Sequence, residues 1–187
     1  MIEKGQSRWV KGLLNDLRKL GVLSESVRNE TKEGIRKRMR ELDEREWKRG
    51  MNEKSSLKIY REWRKEMGGQ EEVYNNDQAS EILFKCRTNN LRLNDRKRFW
   101  NEETACELCG EGNEDLKHFL LWCPEYREER KRSVRLQQPY IENEENIIGE
   151  YLFQNENIEV TKRTIQHFWN IREKKRKEKE TIVSPRQ

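Results

Sequence analysis

The stretch from Cys106 to Cys123, CELCGEGNEDLKHFLLWC, constrains this chain more than any other. Cys106, Cys109, His118 and Cys123 have the spacing C-x2-C-x8-H-x4-C. Three thiolates and one imidazole complete a tetrahedral Zn²⁺ shell and leave no open position, which makes a structural centre rather than a catalytic one. Gly110 and Gly112 follow the first pair and let the backbone curl round a metal. Asn113 is placed to cap a short helix, with Glu114 and Asp115 in its first turn, where negative charge suits the helix dipole. His118 falls one turn into that helix, and Pro124 restricts Cys123. Positions five apart do not share an α-helical face, so the last turn is expected to unwind and bring Cys123 in.

A Cys106–Cys109 disulfide and chance spacing are the competing readings. The N-terminal MIEKGQSRWV has no apolar signal core, so an intracellular, reducing setting, nuclear or cytoplasmic, is expected, and it favours metal over disulfide. The nucleobase deaminase pattern, with its H-x-E ahead of C-x-x-C, is absent. Three cysteines on one structural zinc leave Cys86 as a buried thiol.

Charge decides what can surround such a centre. The 187 residues hold 40 basic and 35 acidic side chains against 32% apolar, a balance that leans towards disorder or long solvated helices. Six Trp, five Tyr and five Phe supply enough core area to argue against full disorder. The net charge of +5 is compatible with nucleic acid without requiring it. No apolar run reaches the ~20 residues of a membrane span.

The predicted fold is mainly α, with several amphipathic helices around a small Cys₃His zinc knuckle and minimal strand. Three regions are expected: charged helices over 1–54, a helical segment with the knuckle over 55–136, and C-terminal helices with a basic tail over 137–187. Ser7 is placed to cap a first helix carrying Trp9, Val10, Leu13, Leu14, Leu17 and Leu20 at helical spacing, with Gly21 as its stop. A second runs from Ser24 to about Trp47 with a thin stripe of Val27, Ile35, Met39 and Leu42, and Gly50 ends it. Its cluster of Arg36, Lys37, Arg38 and Arg40 reads as a solvated face or a phosphate contact. Ser55 or Ser56 opens a third, SSLKIYREWRKEMGG, stopped by Gly68 and Gly69. The fourth runs from about Asp77 to Thr88, with Ala79, Ile82, Leu83 and Cys86 on one side and Phe84, Lys85 and Arg87 elsewhere on the circumference. After Pro124 a charged helix continues to about Leu136, and Pro139 breaks the chain. NIIGEYLF is a short amphipathic piece. The last helix spans about Glu159 to Glu180, with Ile165, Phe168 and Trp169 inward, a frayed charged tail, and a weak nuclear-import or RNA-contact signal at Lys174 to Lys177. His167 has no partner at ligand spacing and reads as an ordinary residue.

Between the fourth helix and the knuckle, NNLRLNDRKRFW interleaves basic and aromatic residues. Rings that stack on bases beside cations that meet phosphate make a single-strand platform. The other reading packs Phe99 and Trp100 over the zinc site with the arginines in water; both can hold. Arg92, Arg96, Lys97, Arg98, Trp100 and Lys117 are the candidate nucleic-acid contacts.

SSLKIYREWRKEMG, ASEILFKCRTNNLRLNDRKRFW and CELCGEGNEDLKHFLLWCPEYREER resemble the region after the polymerase core of non-LTR (LINE-like) retrotransposon reverse transcriptases, most strongly from Ser55 to Arg130. The acidic residues before the His, then His-Phe-Leu-Leu-x-Cys-Pro, carry the likeness. It implies a helical segment with a CCHC knuckle, zinc on Cys106, Cys109, His118 and Cys123, and binding of template RNA or target DNA beside a polymerase. The chain departs from the family in lacking a paired-aspartate polymerase motif and a Pro-Asp…Lys nuclease pattern. Its eight-residue gap before His118 exceeds that of compact retroviral knuckles. It looks like a C-terminal fragment of such an element, a remnant or a host-adopted copy.

The expected function is therefore a non-catalytic, zinc-binding nucleic-acid module, RNA favoured over duplex DNA, with no membrane or small-molecule partner. The alternatives are a zinc-stabilised scaffold whose apolar helix faces dock a polymerase core or another chain, and a non-functional remnant.

Overall fold

The computed structural model describes residues 8–19, 21, 31–68, 71, 73–132, 143–154 and 157–183. The chain divides into two compact units, Met1–Glu53 and Lys54–Gln187. Helix is the dominant element, and among the described residues the β structure is a single antiparallel bridge, Ala105 with Asn113. The predicted mainly α fold is the observed one.

The first unit holds α1 (Arg8–Lys19) and α2 (Lys32–Asn52). Gly21 takes φ +67°, the left-handed region where glycine carries no Cβ penalty, and its N–H bonds to the Arg18 carbonyl at 2.9 Å, so it closes α1 as the sequence predicts. Ser7, Leu20, Ser24 and Val27 lie outside the described residues, as do the side chains of Trp9, Val10, Leu13 and Leu14. The predicted stripe of α1 is therefore described only at Leu17, which is half-buried. Thr31 caps α2, its hydroxyl accepting from Gly34 N–H at 3.0 Å. The helix runs through Gly50 instead of stopping there: one glycine costs a helix only about 1 kcal/mol, and Glu53 N–H still finds the Arg49 carbonyl at 3.1 Å. Acidic and basic side chains pair along its surface, as in Glu44–Lys48 at 2.6 Å.

The second unit is organised by α7 (Ile158–Val183), the longest helix. Against it pack α4 (Gln78–Arg87) and α6 (Glu144–Phe153). The predicted inward face of α4 is correct: Ala79, Ile82, Leu83 and Cys86 are buried. Ile82, Leu83 and Cys86 join Ile148, Tyr151 and Leu152 of α6 and Ile165 and Phe168 of α7 in one core. Each large apolar side chain so buried contributes about 1.5–3 kcal/mol. Asp77 caps α4 through Ser80 N–H at 2.6 Å.

Arg87, read from the sequence as lying off the apolar side of α4, is itself buried. Its Nε donates to the Leu152 carbonyl at 2.9 Å and its Nη1 to Glu71 at 2.7 Å and to the Tyr74 hydroxyl at 2.9 Å. Nε and Nη1 are thus satisfied, one of them by a carboxylate, and the Phe153 ring lies 4.6 Å from the guanidinium carbon, so a charge can be enclosed there.

The third predicted helix is shorter than its sequence suggested. A 3₁₀ turn over Ser55–Leu57, with no side-chain cap, leads into α3 (Lys58–Trp63), and Arg64 is already extended. Its aromatic face decides the length: Tyr60 and Trp63 pack on the Phe153 ring of α6, at 5.8 and 6.4 Å between centroids. Arg64 turns away to Glu71, 3.7 Å distant. The charged helix after Pro124 is described as α5 (Arg127–Lys131), and Leu136 and Pro139 lie outside the described residues. Among the described residues no helix is long and apolar enough to cross a membrane.

Candidate metal centre

The two halves of the centre are held by different local devices. Cys106 and Cys109 sit on a turn closed by Gly110 N–H to the Cys106 carbonyl at 2.9 Å. Gly110 and Gly112 take φ +75° and +62°, which a side chain would strain. Cys106 N–H returns to the Gly112 carbonyl at 3.1 Å and Glu114 N–H to the Thr104 carbonyl at 2.8 Å, so the loop is a narrow hairpin with both sulfurs at one end. Glu111 N–H also points at Cys109 Sγ, 3.4 Å away.

The other half differs from the expectation in two respects. The cap is Asp115, whose Oδ1 accepts from His118 N–H at 2.7 Å; Asn113 instead accepts from the Thr104 hydroxyl at 2.5 Å and helps close the hairpin. The last turn does not unwind either. His118–Trp122 is one turn of π-helix, and Cys123 N–H bonds to the His118 carbonyl at 2.7 Å. An i→i+5 bond widens the turn until residues five apart come to the same side, which an α-helix forbids. That widening brings His118 and Cys123 to one point while the backbone bonds stay made.

The result is a closed group. The four ligand atoms of Cys106, Cys109, His118 and Cys123 all lie within 4.8 Å of one another and can hold one metal ion. Cys106 Sγ and Cys123 Sγ are 3.8 Å apart, and Cys109 Sγ is 3.4 Å from His118 Nε2. Cys106 and Cys123 are buried. Their mutual hydrogen bond pushes Cys106 down to about 4, helped by the N–H groups of Cys109 and Leu108, and pushes Cys123 up. A cation bound there takes the place of the proton between them. All four cysteines are free thiols, so the alternative Cys106–Cys109 disulfide is not formed. Cys86 stands apart in the core, fully buried, its thiol pushed up by burial.

Three basic residues of α7 fasten this centre to that helix, and only Lys175 among them lies in a stretch the sequence singled out. Glu114 is buried 3.9 Å from Cys106 Sγ and accepts from Arg172 Nε and Nη2, each at 2.7 Å. Lys175 Nζ donates to the Leu108 carbonyl at 2.9 Å and Lys179 Nζ to the Glu107 carbonyl at 2.6 Å. Arg172, Lys175 and Lys179 are spaced along one face of a helix, so the tail expected to be charged and frayed is instead a helix that reads the backbone of the metal loop. Below them Tyr126 stacks on Phe168 at 4.5 Å and donates to its carbonyl at 3.1 Å. The centre was expected between the fourth helix and the one after Pro124; α7 is its principal support. The only sequence signal was the i, i+3, i+7 spacing of the three cations, which a solvated face shows as readily.

The candidate nucleic-acid residues are distributed rather than gathered. Leu91 and Leu93 are buried, and a 3₁₀ turn over Asn94–Trp100 follows. Phe99 and Trp100 are 70% and 68% exposed, so they do not cover the metal site. Arg98 lies over the Phe99 ring, 5.1 Å from its centroid. Arg96 turns back to the Asn89 carbonyl and the Asn90 side chain, at 2.5 and 2.7 Å. Arg92 and Lys97 line one groove. Lys117 stands outside it, paired with Glu144 at 3.2 Å. His167 is exposed and lies 3.9 Å from Glu129.

Fold and site together define a helical fold closed around a Cys₃His group that can hold a metal ion. Compared with family models, curated proteins and solved structures, the chain finds no match in any of the three.

Proposed function

We propose that this chain is a non-catalytic, zinc-stabilised module that binds nucleic acid, single-stranded RNA before duplex DNA. Thiolate and imidazole donors suit zinc, and a tetrahedral ion with Zn–S of about 2.3 Å and Zn–N of about 2.0 Å sets sulfurs about 3.8 Å apart and sulfur about 3.5 Å from the imidazole nitrogen. The separations of 3.8 and 3.4 Å fit that ion.

The observation that carries the nucleic-acid reading is the outward pair Phe99–Trp100. Two large rings exposed on one short turn waste apolar area unless something stacks on them. The turn is pinned to the metal loop: Asn94 N–H donates to the Glu114 carboxylate at 2.9 Å, Asp95 N–H to the Glu114 carbonyl at 3.1 Å, and Asn94 Nδ2 to the Ala105 carbonyl at 2.7 Å. Zinc would thus fix the rings in place before a strand arrives, with Arg98 beside them for the backbone. The resemblance of Ser55–Arg130 to the segment after the polymerase core of non-LTR retrotransposon reverse transcriptases supports the same reading.

Fluorescence anisotropy of the zinc-loaded chain with a single-stranded RNA and a matched duplex DNA, across a salt series, tests it. RNA binding that weakens as salt rises is expected, and Phe99→Ala with Trp100→Ala should cost about 1–3 kcal/mol per lost stack. Absence of binding at low salt by folded, zinc-loaded protein would refute it and turn attention to a protein partner.

A further inference from the structure

The seam between the metal loop and α7 opens into a groove of about 870 Å³ whose walls hold six basic side chains and two acidic ones. Lys85, paired with Glu81, comes from α4, Arg92 from the segment leading to the aromatic turn, Lys97 from that turn itself, and Arg176 and Lys179 from α7. The two acids do not cancel this charge. Glu173 is engaged by Arg172 at 3.0 Å and Arg176 at 2.9 Å, and Glu107 accepts from Asn94 Nδ2 at 3.1 Å and lies 3.7 Å from Lys97. Among the described residues Arg92 has no carboxylate partner, and Lys179 is held by a carbonyl oxygen, which orients its ammonium without neutralising it. Cations that converge from separate elements repel one another, and the fold holds them there through contacts made elsewhere: the Glu114–Arg172 pair and the core. An anion entering the groove relieves that repulsion and gains charge-assisted hydrogen bonds.

We infer that this groove is a phosphoryl-binding site, with Arg92 and Lys179 as its principal contacts. The inference rests on the nucleic-acid reading for its natural ligand, the phosphodiester backbone of the strand whose bases stack on Phe99 and Trp100. Lys97 links the two features, since it lines the groove and belongs to the same turn as the rings. A free polyphosphate shares the chemistry and serves as the probe that separates the sources.

The experiment uses the zinc-loaded full chain. Tripolyphosphate binding is followed by calorimetry and binding of a short fluorescein-labelled oligouridylate by anisotropy. The variants are Arg92→Gln, Arg92→Gln with Lys179→Gln, and Lys131→Gln, whose parent lysine pairs with Glu128 on α5 away from the groove. Arg92→Gln removes an exposed side chain and guards against a double variant that fails to fold; zinc content and circular dichroism verify each protein. The double variant should lose about tenfold in affinity for both ligands and lower the oligonucleotide salt slope by about 1.4, while Lys131→Gln behaves as wild type. Wild-type protein that ignores tripolyphosphate at low salt, or a double variant that binds it unchanged, overturns the site. Oligonucleotide binding lost on removing Phe99 and Trp100 but indifferent to the groove variants keeps the nucleic-acid reading and rejects the groove. Tripolyphosphate bound through Arg92 by a protein that ignores RNA keeps the groove and rejects the nucleic-acid reading.

Discussion

Glu114 and Arg172, 58 positions apart, meet in a two-point ion pair of 2.7 Å contacts with side chains 1% and 3% exposed. The carboxylate also accepts the Asn94 N–H, so one buried acid ties the metal loop, the aromatic turn and α7 together. The attraction to Glu114 keeps Arg172 charged although its burial opposes that.

Breaking this pair from one side should therefore be costly. Glu114→Gln or Arg172→Met leaves an enclosed charge without its partner, and a loss of about 3–5 kcal/mol is expected in urea denaturation of the metal-loaded protein. Replacing both with apolar residues should cost clearly less than the sum of the single changes. Strictly additive losses would mean the two groups act independently.

Metal removal should be local in its first effect. After chelation, Cys106, Cys109 and Cys123 become open to iodoacetamide, whereas Cys86, buried with its thiol held protonated, stays unmodified until denaturant is added. Peptide mapping by mass spectrometry reads this directly. In Cys109→Ser, amide protection over 104–123 should fall while that of α2 persists. Structural zinc contributes about 10–16 kcal/mol to isolated fingers, ample to account for the loss of a loop this small. Unchanged protection in the loop would show that the hairpin needs no metal.

Asp77 gives the stability an acid-side dependence. Its carboxyl is held below the ordinary value of 3.8, first by the Ser80 N–H that it caps and further by Lys162, whose Nζ is 3.5 Å from Oδ2. A depressed folded value stabilises above the unfolded one and is lost as pH falls through the folded value. The melting temperature should drop below about pH 4, and that part of the drop should be missing in Asp77→Asn. Lys162 is almost wholly buried and keeps the Val73 carbonyl and Glu159 as partners, at 3.1 and 3.0 Å, so the helix should survive the change. Parallel pH profiles for both proteins would remove Asp77 from the account.

Gly149 is where α6 meets the indole of Trp63. A Cβ built there would fall inside the ring, far closer than any contact allows. Gly149→Ala should displace Trp63 from its stack on Phe153 and cost about 1–3 kcal/mol despite the better helix propensity of alanine. Trp63→Ala alone also destabilises, but in that background the added methyl should become neutral or favourable. Equal penalties in both backgrounds would place the strain elsewhere.

The helical class, the inward face of α4 and the members of the Cys₃His group could be read from the sequence because each rests on local spacing. A stripe at helical period declares its buried side whatever it packs against, and C-x2-C places two sulfurs on one turn in almost any setting. The closing of the group could not be read this way. An α-helix would keep His118 and Cys123 apart, and the wider turn exists because Phe119, Leu120 and Leu121 are buried against the core while Asp115 fixes its start. The placement of the charges also belongs to tertiary structure. Arg87, Arg172 and Lys162 are indistinguishable in the sequence from the rest of its 40 lysines and arginines, yet they are enclosed. What selects them is a carboxylate or carbonyl that arrives from a distant segment only after α4, α6 and α7 have packed. Composition and local spacing determined that this chain forms helices around a thiolate–imidazole group. Long-range packing decided which of its charges hold that group in place and which stay at the surface, because a buried ion is tolerated only where the whole fold brings its partner.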